Sequence, residues 1–231
     1  MADYKNIYQT QADAYAELVS AEDHEGHLAQ TLRTLLAPAD KTVVEVGAGT
    51  GRVTRILLDL NARHVVATEL ESSMLQQAQK TLADQRDRVR FAEADARRIP
   101  VDDKSADLYV AGWVLAHFRS WHPSSWKSEI RQCLDEADRV ATDHIAIIDT
   151  LGTGHNTPTV SSELAEYHAW LEETQGFERT ELRTDYKFAS SAEAERVLPF
   201  FFGDRIYAHI PQGAAPVVVP ECTGLWTRKA R

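Results

Sequence analysis

The chain has 231 residues, 43% of them hydrophobic and 26% charged, with a formal net charge of −10 and a pI near 5.4. That length suits one large α/β domain better than two independent ones, and the acidity disfavours DNA or RNA as a main partner because a polyphosphate backbone is repelled. No apolar run approaches the ~20 residues of a membrane span, MADYKNIYQT has no basic start followed by an apolar core, and Cys133 and Cys222 lack metal-ligand spacing. The expectation is a cytoplasmic chain with reduced thiols, no metal and no membrane contact.

Residues 1 to about 38 hold no glycine except Gly26 and no proline before Pro38, which predicts helices. Tyr4, Tyr8, Tyr15 and Leu18 fall near one helical face, and Leu28, Leu32, Leu35 and Leu36 form a second apolar stripe. The chain then alternates. TVVEV, HVVATEL, RVRFAEAD, ADLYVAGW and HIAIIDT read as strands. Helices are expected over Arg52–Leu60, over Ser72–Asp84 with Ser72 or Ser73 as N-cap, and over Trp126–Val140. Such alternation predicts a doubly wound, mostly parallel sheet with helices on both faces. Beyond residue 150, Ser161–Thr174 and Ala192–Leu198 read as helices and FERTELRTDYKF as extended. APVVVPECTGLWTRK is also extended, and its Pro216 and Pro220 favour an edge position. With no repeat or linker, the whole of 1–231 is expected to be one domain.

The stretch VVEVGAGTG places Gly47, Gly49 and Gly51 after the first strand. A dinucleotide-binding turn has a third glycine where this chain has Arg52, and it holds a pyrophosphate, for which Glu45 is a poor neighbour. Glu45 suits a ligand bearing positive charge. Glu69 ends the second strand, eighteen residues after Gly51, and a carboxylate there can take two adjacent ribose hydroxyls in a fork. A dehydrogenase would want an acid there too, so Glu69 points to a ribose and not to a reaction.

EVGAGTG, Glu69, FAEADARRIP and SADLYVAGW together resemble the class I S-adenosylmethionine-dependent methyltransferases over roughly residues 40–150. The resemblance implies a Rossmann-like, seven-stranded sheet with an antiparallel C-terminal edge strand. It also implies a helical lid over 1–38, a donor-binding core over 40–150, and sheet completion with acceptor-pocket elements over 151–231. It assigns S-adenosylmethionine to Glu45, Gly47, Ala48, Gly49 and Gly51, to Glu69, Leu70 and Met74, and to Asp95, Ala96 and Gly112, with Asp95 on the adenine amino group. The product is S-adenosylhomocysteine, and no metal is implied.

Methyl transfer from a sulfonium needs the nucleophile held in line about 3 Å from the methyl, and an amine or hydroxyl acceptor can need a base. His117 is the leading candidate base, followed by His122 and Asp149. Trp113, Tyr8, Tyr15, Tyr167, Trp170 and Tyr186 are the candidates to wall an acceptor pocket. His24 and His27 are three apart and do not make H-E-x-x-H. Strand four carries neither an N/D-P-P-aromatic motif nor an acid or amide for magnesium, which leaves a small-molecule acceptor. The competing readings are a non-catalytic binding protein of the same fold, a nicotinamide-dependent oxidoreductase, and an aminopropyltransferase.

Overall fold

The computed structural model of the protein describes residues 4–213 and 215–231, so residues 1–3 of the expected helical lid lie outside it. The apolar, β-branched runs form the strands. β1 (Thr42–Val46), β2 (His64–Glu69), β3 (Val89–Glu93), β4 (Ala106–Gly112) and β5 (Ala141–Thr153) are parallel neighbours, and the seven-stranded sheet is completed by β6 (Glu178–Arg183) and β9 (Glu221–Lys229) in the order β3-β2-β1-β4-β5-β9-β6. A separate two-stranded antiparallel sheet pairs β7 (Tyr186–Phe188) with β8 (Val217–Val219).

Period-two alternation explains how both faces are buried. Val44, Val46, Tyr109, Ala111, Ile145 and Ile147 pack on α7 (Trp126–Val140) and α8 (Ser162–Glu173). Val43, Val65, Leu108, Val110, Ala146 and Ile148 pack on the other side, against α3 (His27–Leu36) and α4 (Arg52–Asp59). The stripe Leu28, Leu32, Leu36 recurs every four residues and is fully buried, each leucine contributing about 1.5–3 kcal/mol. Asp23 starts α3 by accepting the backbone N–H groups of His27 and Leu28 at 2.9 and 3.0 Å, so the histidine-rich EDHEGH stretch is a helix start.

The N-terminal helices are α1 (Tyr4–Thr10) and α2 (Ala12–Ser20), which lie against α5 (Ser72–Thr81). Neither Ser72 nor Ser73 caps α5. The N-cap is Glu71, with no side-chain bond, and the Ser73 hydroxyl instead donates to the Tyr8 carbonyl at 2.6 Å, which ties α1 to α5. A third cluster joins Leu18 of α2 to the two-stranded sheet, to α9 (Ser191–Val197) and, through Phe201, to α10 (Pro199–Phe202).

The antiparallel C-terminal strand lies one position in from the edge, which β6 occupies. The prolines permit this because both stand outside β9: Pro220 precedes it, and Pro216 precedes β8. FERTELRTDYKF breaks at Thr184–Asp185 to serve two sheets, with the Thr184 hydroxyl on that of Thr223 at 2.6 Å.

Candidate functional site

Strand order reverses between β1 and β4, and ligands of open α/β sheets bind at the carboxyl ends of the strands at such a point. The loop from β1 to α4 fits closely against side chains of the segments packed on it. A Cβ on Gly47 (φ +69°) would stand 1.9 Å from Val114 Cγ2, and one on Gly51 (φ +90°) 2.9 Å from Leu82 Cδ1. Only glycine suits both the conformation and the space. The loop is pinned by the Ala48 N–H donating to the Thr68 carbonyl at 2.9 Å.

Glu69 sits where β2 ends. Its Oε2 accepts the Gly49 N–H at 2.8 Å, and its Oε1 accepts those of Leu70 and Glu71 at 2.8 and 3.1 Å. Burial raises the carboxyl pKa, and the three amides oppose that rise. A carboxylate has about four acceptor positions. One therefore remains, on Oε2, and a fork onto two ribose hydroxyls requires one amide bond to give way.

Asp95, after β3, is gripped by Arg97. Oδ1 accepts the Arg97 backbone N–H at 2.8 Å and Nε–H at 2.9 Å, and Oδ2 accepts Nη2–H at 2.5 Å. Arg97 also donates to Glu129 of α7 at 2.7 Å and holds Asp95 below the usual carboxylate range.

At the end of β4 the chain turns through Trp113, whose φ of +53° is rare for a bulky residue. Its N–H donates to the Ile148 carbonyl at 2.7 Å, and the Arg52 guanidinium lies 4.9 Å from its ring. His117 opens α6 (His117–Trp121), stacks on Trp121 at 4.8 Å and is bonded to the Tyr8 hydroxyl through Nε2 at 2.9 Å. Burial pushes its pKa down to about 4, so the imidazole is neutral near pH 7.

One cleft collects most of these groups. Gly47, Gly49, Glu69, Leu70, Met74, Asp95, Ala96 and Gly112 line it, and so do Tyr8, Tyr15, Trp113, His117 and His122. Ala48 and Gly51 belong to the loop without facing the cleft. Glu45 lies beneath the loop, fully buried, where it accepts the Thr54 hydroxyl at 2.5 Å, and burial pushes its pKa up to about 7. Asp149 is buried outside the cleft, and its Oδ1 accepts the Thr150 N–H at 3.0 Å.

Three expected acceptor-pocket residues are placed elsewhere. Tyr167 and Trp170 of α8 pack on Trp126 at 6.2 and 5.5 Å in the core, because α8 lays its aromatic face on the sheet. Tyr186 is buried in β7 of the two-stranded sheet and donates to Glu22 at 3.2 Å. Lys5, Arg97, Phe118 and Trp121 line the cleft without having been anticipated. Trp121 was readable, being four residues after His117 on a helix. Phe201 does not line the cleft but packs behind Tyr15, with ring centroids 5.5 Å apart, a contact that only tertiary structure supplies. Among the described residues, no group of three or more His, Cys, Asp or Glu is placed to hold a metal, and no helix is long and apolar enough to cross a membrane.

Residues 43–140 match the family model described as a methyltransferase domain. An uncharacterized methyltransferase of Geobacillus sp. (strain WCH70) is 24% identical over 143 residues, which cover 60% of this chain and 65% of that protein. The demethylmenaquinone methyltransferase of Clavibacter sepedonicus is 38% identical over 110 residues, covering 48% and 40% of the two chains. The chain thus spans less than two thirds of either curated relative. A SAM-dependent methyltransferase from Aquifex aeolicus has the same fold, with a TM-score of 0.55 at 16% identity over 90% of this chain and 95% of that one.

Proposed function

We propose that this chain, whose residues 43–140 belong to the methyltransferase domain family on the class I fold, transfers a methyl group from S-adenosylmethionine to a small-molecule acceptor. One observation carries the reading: the glycine loop, Glu69, Asp95 with Ala96, and Gly112–Trp113 come from four separate strand ends and line a single cleft.

The cleft fits the donor. Glu69 retains an acceptor position for a ribose hydroxyl. The ion pairs of Arg97 leave Asp95 fixed at the rim, where Leu70 and Phe118 offer apolar surface for a base. When bound, the donor supplies an electrophilic methyl on sulfur that an acceptor nucleophile displaces in line. The residues of the chain position and shield. Tyr8 and Tyr15 close the cleft from the α1–α2 side and exclude water. In this reading His117, neutral and bonded to Tyr8, is the base that takes a proton from an acceptor amine or hydroxyl. The 38% identity to a demethylmenaquinone methyltransferase supports a small acceptor in place of a macromolecule.

Calorimetric titration with S-adenosylhomocysteine and with NAD decides the donor. Binding of the first and not the second supports the reading, and the reverse overturns it in favour of an oxidoreductase. A panel of small acceptors assayed for S-adenosylhomocysteine release then separates an enzyme from a binding protein.

A further inference from the structure

The charged groups of the cleft are engaged or, like Glu69, committed to the donor. Arg97 is held by Asp95 and Glu129, and Glu71 accepts the Gln9 amide at 3.3 Å. Lys5 is exposed and lies with its ammonium 4.9 Å from the centre of the Trp121 ring. What the cleft offers beyond these groups is aromatic surface. Tyr8, Tyr15, Trp113 and His117 all line it, and each is half-buried.

Trp113 stands apart from the other three. Its φ of +53° is one that glycine adopts without cost, yet the position carries the largest of side chains. The conformation is fixed twice over. The N–H donates to the Ile148 carbonyl at 2.7 Å, and the guanidinium of Arg52, itself paired with Glu22, lies 4.9 Å from the ring centre. The glycine loop then spaces this ring from the lid. A Cβ on Gly47 would stand 3.7 Å from the Gly112 carbonyl, next to Trp113, and one on Gly49 would stand 3.8 Å from Tyr15 Cε1. Tyr8 meets Tyr15 and His117 edge-on at 5.5 and 5.6 Å, whereas among the described residues none of these three rings contacts that of Trp113.

We infer that the methyl acceptor carries a neutral aromatic ring, and that Trp113, braced by Arg52, is the residue that selects it. The acceptor ring lies on the indole, with Tyr8, Tyr15 and His117 across the cleft. This deepens the methyl-transfer reading and rests on it, because the end of β4 is then where the reactive methyl lies. Charge decides against the other ligand that an aromatic-lined site can take, a cationic amine held over ring faces. Cations already lie over Trp113 and Trp121, and they would repel another. A cation on one side of an indole also draws electron density from the other, which suits an electron-rich ring such as a phenol.

The experiment is isothermal titration of the full chain saturated with S-adenosylhomocysteine, using three probes. 2-Naphthol is the aromatic one. Decahydro-2-naphthol keeps the hydroxyl and the fused rings but is saturated, and choline is cationic. Stacking should make 2-naphthol bind about three- to tenfold tighter than either rival. Trp113→Leu should bring the two ring compounds to equal affinity, and Trp113→Phe should keep the preference. A general packing defect weakens both ring compounds alike, so their ratio reports the ring contact itself. The inference is overturned by a wild type that does not bind 2-naphthol or binds either rival as tightly, and by a Trp113→Leu protein that keeps the preference. It is also overturned if S-adenosylhomocysteine displaces 2-naphthol, since the rings then serve the donor's base. Failure of the wild type to bind S-adenosylhomocysteine would instead overturn the donor reading.

Discussion

Removing the Glu69 carboxylate tests the donor site most directly. Glu69 offers one unused acceptor position on Oε2, and the same oxygen fixes the Gly49 N–H at 2.8 Å. A hydrogen bond to a charged group is worth about 1.5–3 kcal/mol, and each 1.4 kcal/mol is tenfold in affinity. Loss of one ribose bond alone therefore weakens S-adenosylhomocysteine by roughly 10- to 150-fold. Glu69→Ala should reach at least that, since it also frees the loop amide. Glu69→Gln keeps the shape but places an NH2 near one of the amide donors, and should fall in the same range. Isothermal titration at fixed pH measures both, with circular dichroism to confirm folding. A folded Glu69→Ala protein that binds within twofold of the wild type would show that the carboxylate is only a loop brace.

Other outcomes follow from the same geometry. Gly47→Ala combines a positive φ with a Cβ 1.9 Å from Val114 Cγ2. It should cost about 2–4 kcal/mol, a Tm drop of roughly 4–16 °C, and a melt indistinguishable from wild type would contradict the packing. Burial pushes Asp149 from 3.8 up to about 7. A raised acid contributes stability that is fully present below its unfolded pKa and lost as pH rises through about 7. Asp149→Asn should therefore melt like the wild type near pH ~4 and be more stable near pH ~8, by at most about 4 kcal/mol; parallel melting curves across that window would refute the assignment. If His117 takes the acceptor proton, the acid limb of activity should lie near its lowered pKa of about 4. His117→Gln should then lower kcat by about 10²–10⁴-fold while sparing S-adenosylhomocysteine affinity; an acid limb at the ordinary histidine pKa would argue against it.

Local patterns carried the core of the fold. TVVEV, HVVATEL and HIAIIDT became strands because β-branched runs suit a sheet buried on both faces, and the leucines of α3 kept their four-residue spacing. The glycine loop was legible because Gly47, Gly49 and Gly51 stand together directly after an apolar strand, each at a positive φ that favours glycine. What escaped the sequence was long-range. Glu69 was placed correctly at the end of β2, but nothing local showed that three amides already occupy it. Arg52 was legible only as the residue that replaces a third glycine, and nothing local showed that its side chain reaches Glu22 and Trp113. Tyr167 and Trp170 looked like pocket walls because an aromatic pair carries no label for which face of α8 meets the sheet.

The position of β9 bears on how the chain folds. It is the last strand in chain order, yet it separates β5 from β6. Until it inserts, β5 exposes an unpaired apolar edge, and β6 has no neighbour to join. Pairings between segments so distant in sequence form slowly, since loop closure precedes any gain from contact. A long-lived intermediate with the parallel half assembled and one sticky margin is the expected vulnerable species, and aggregation should be worst there.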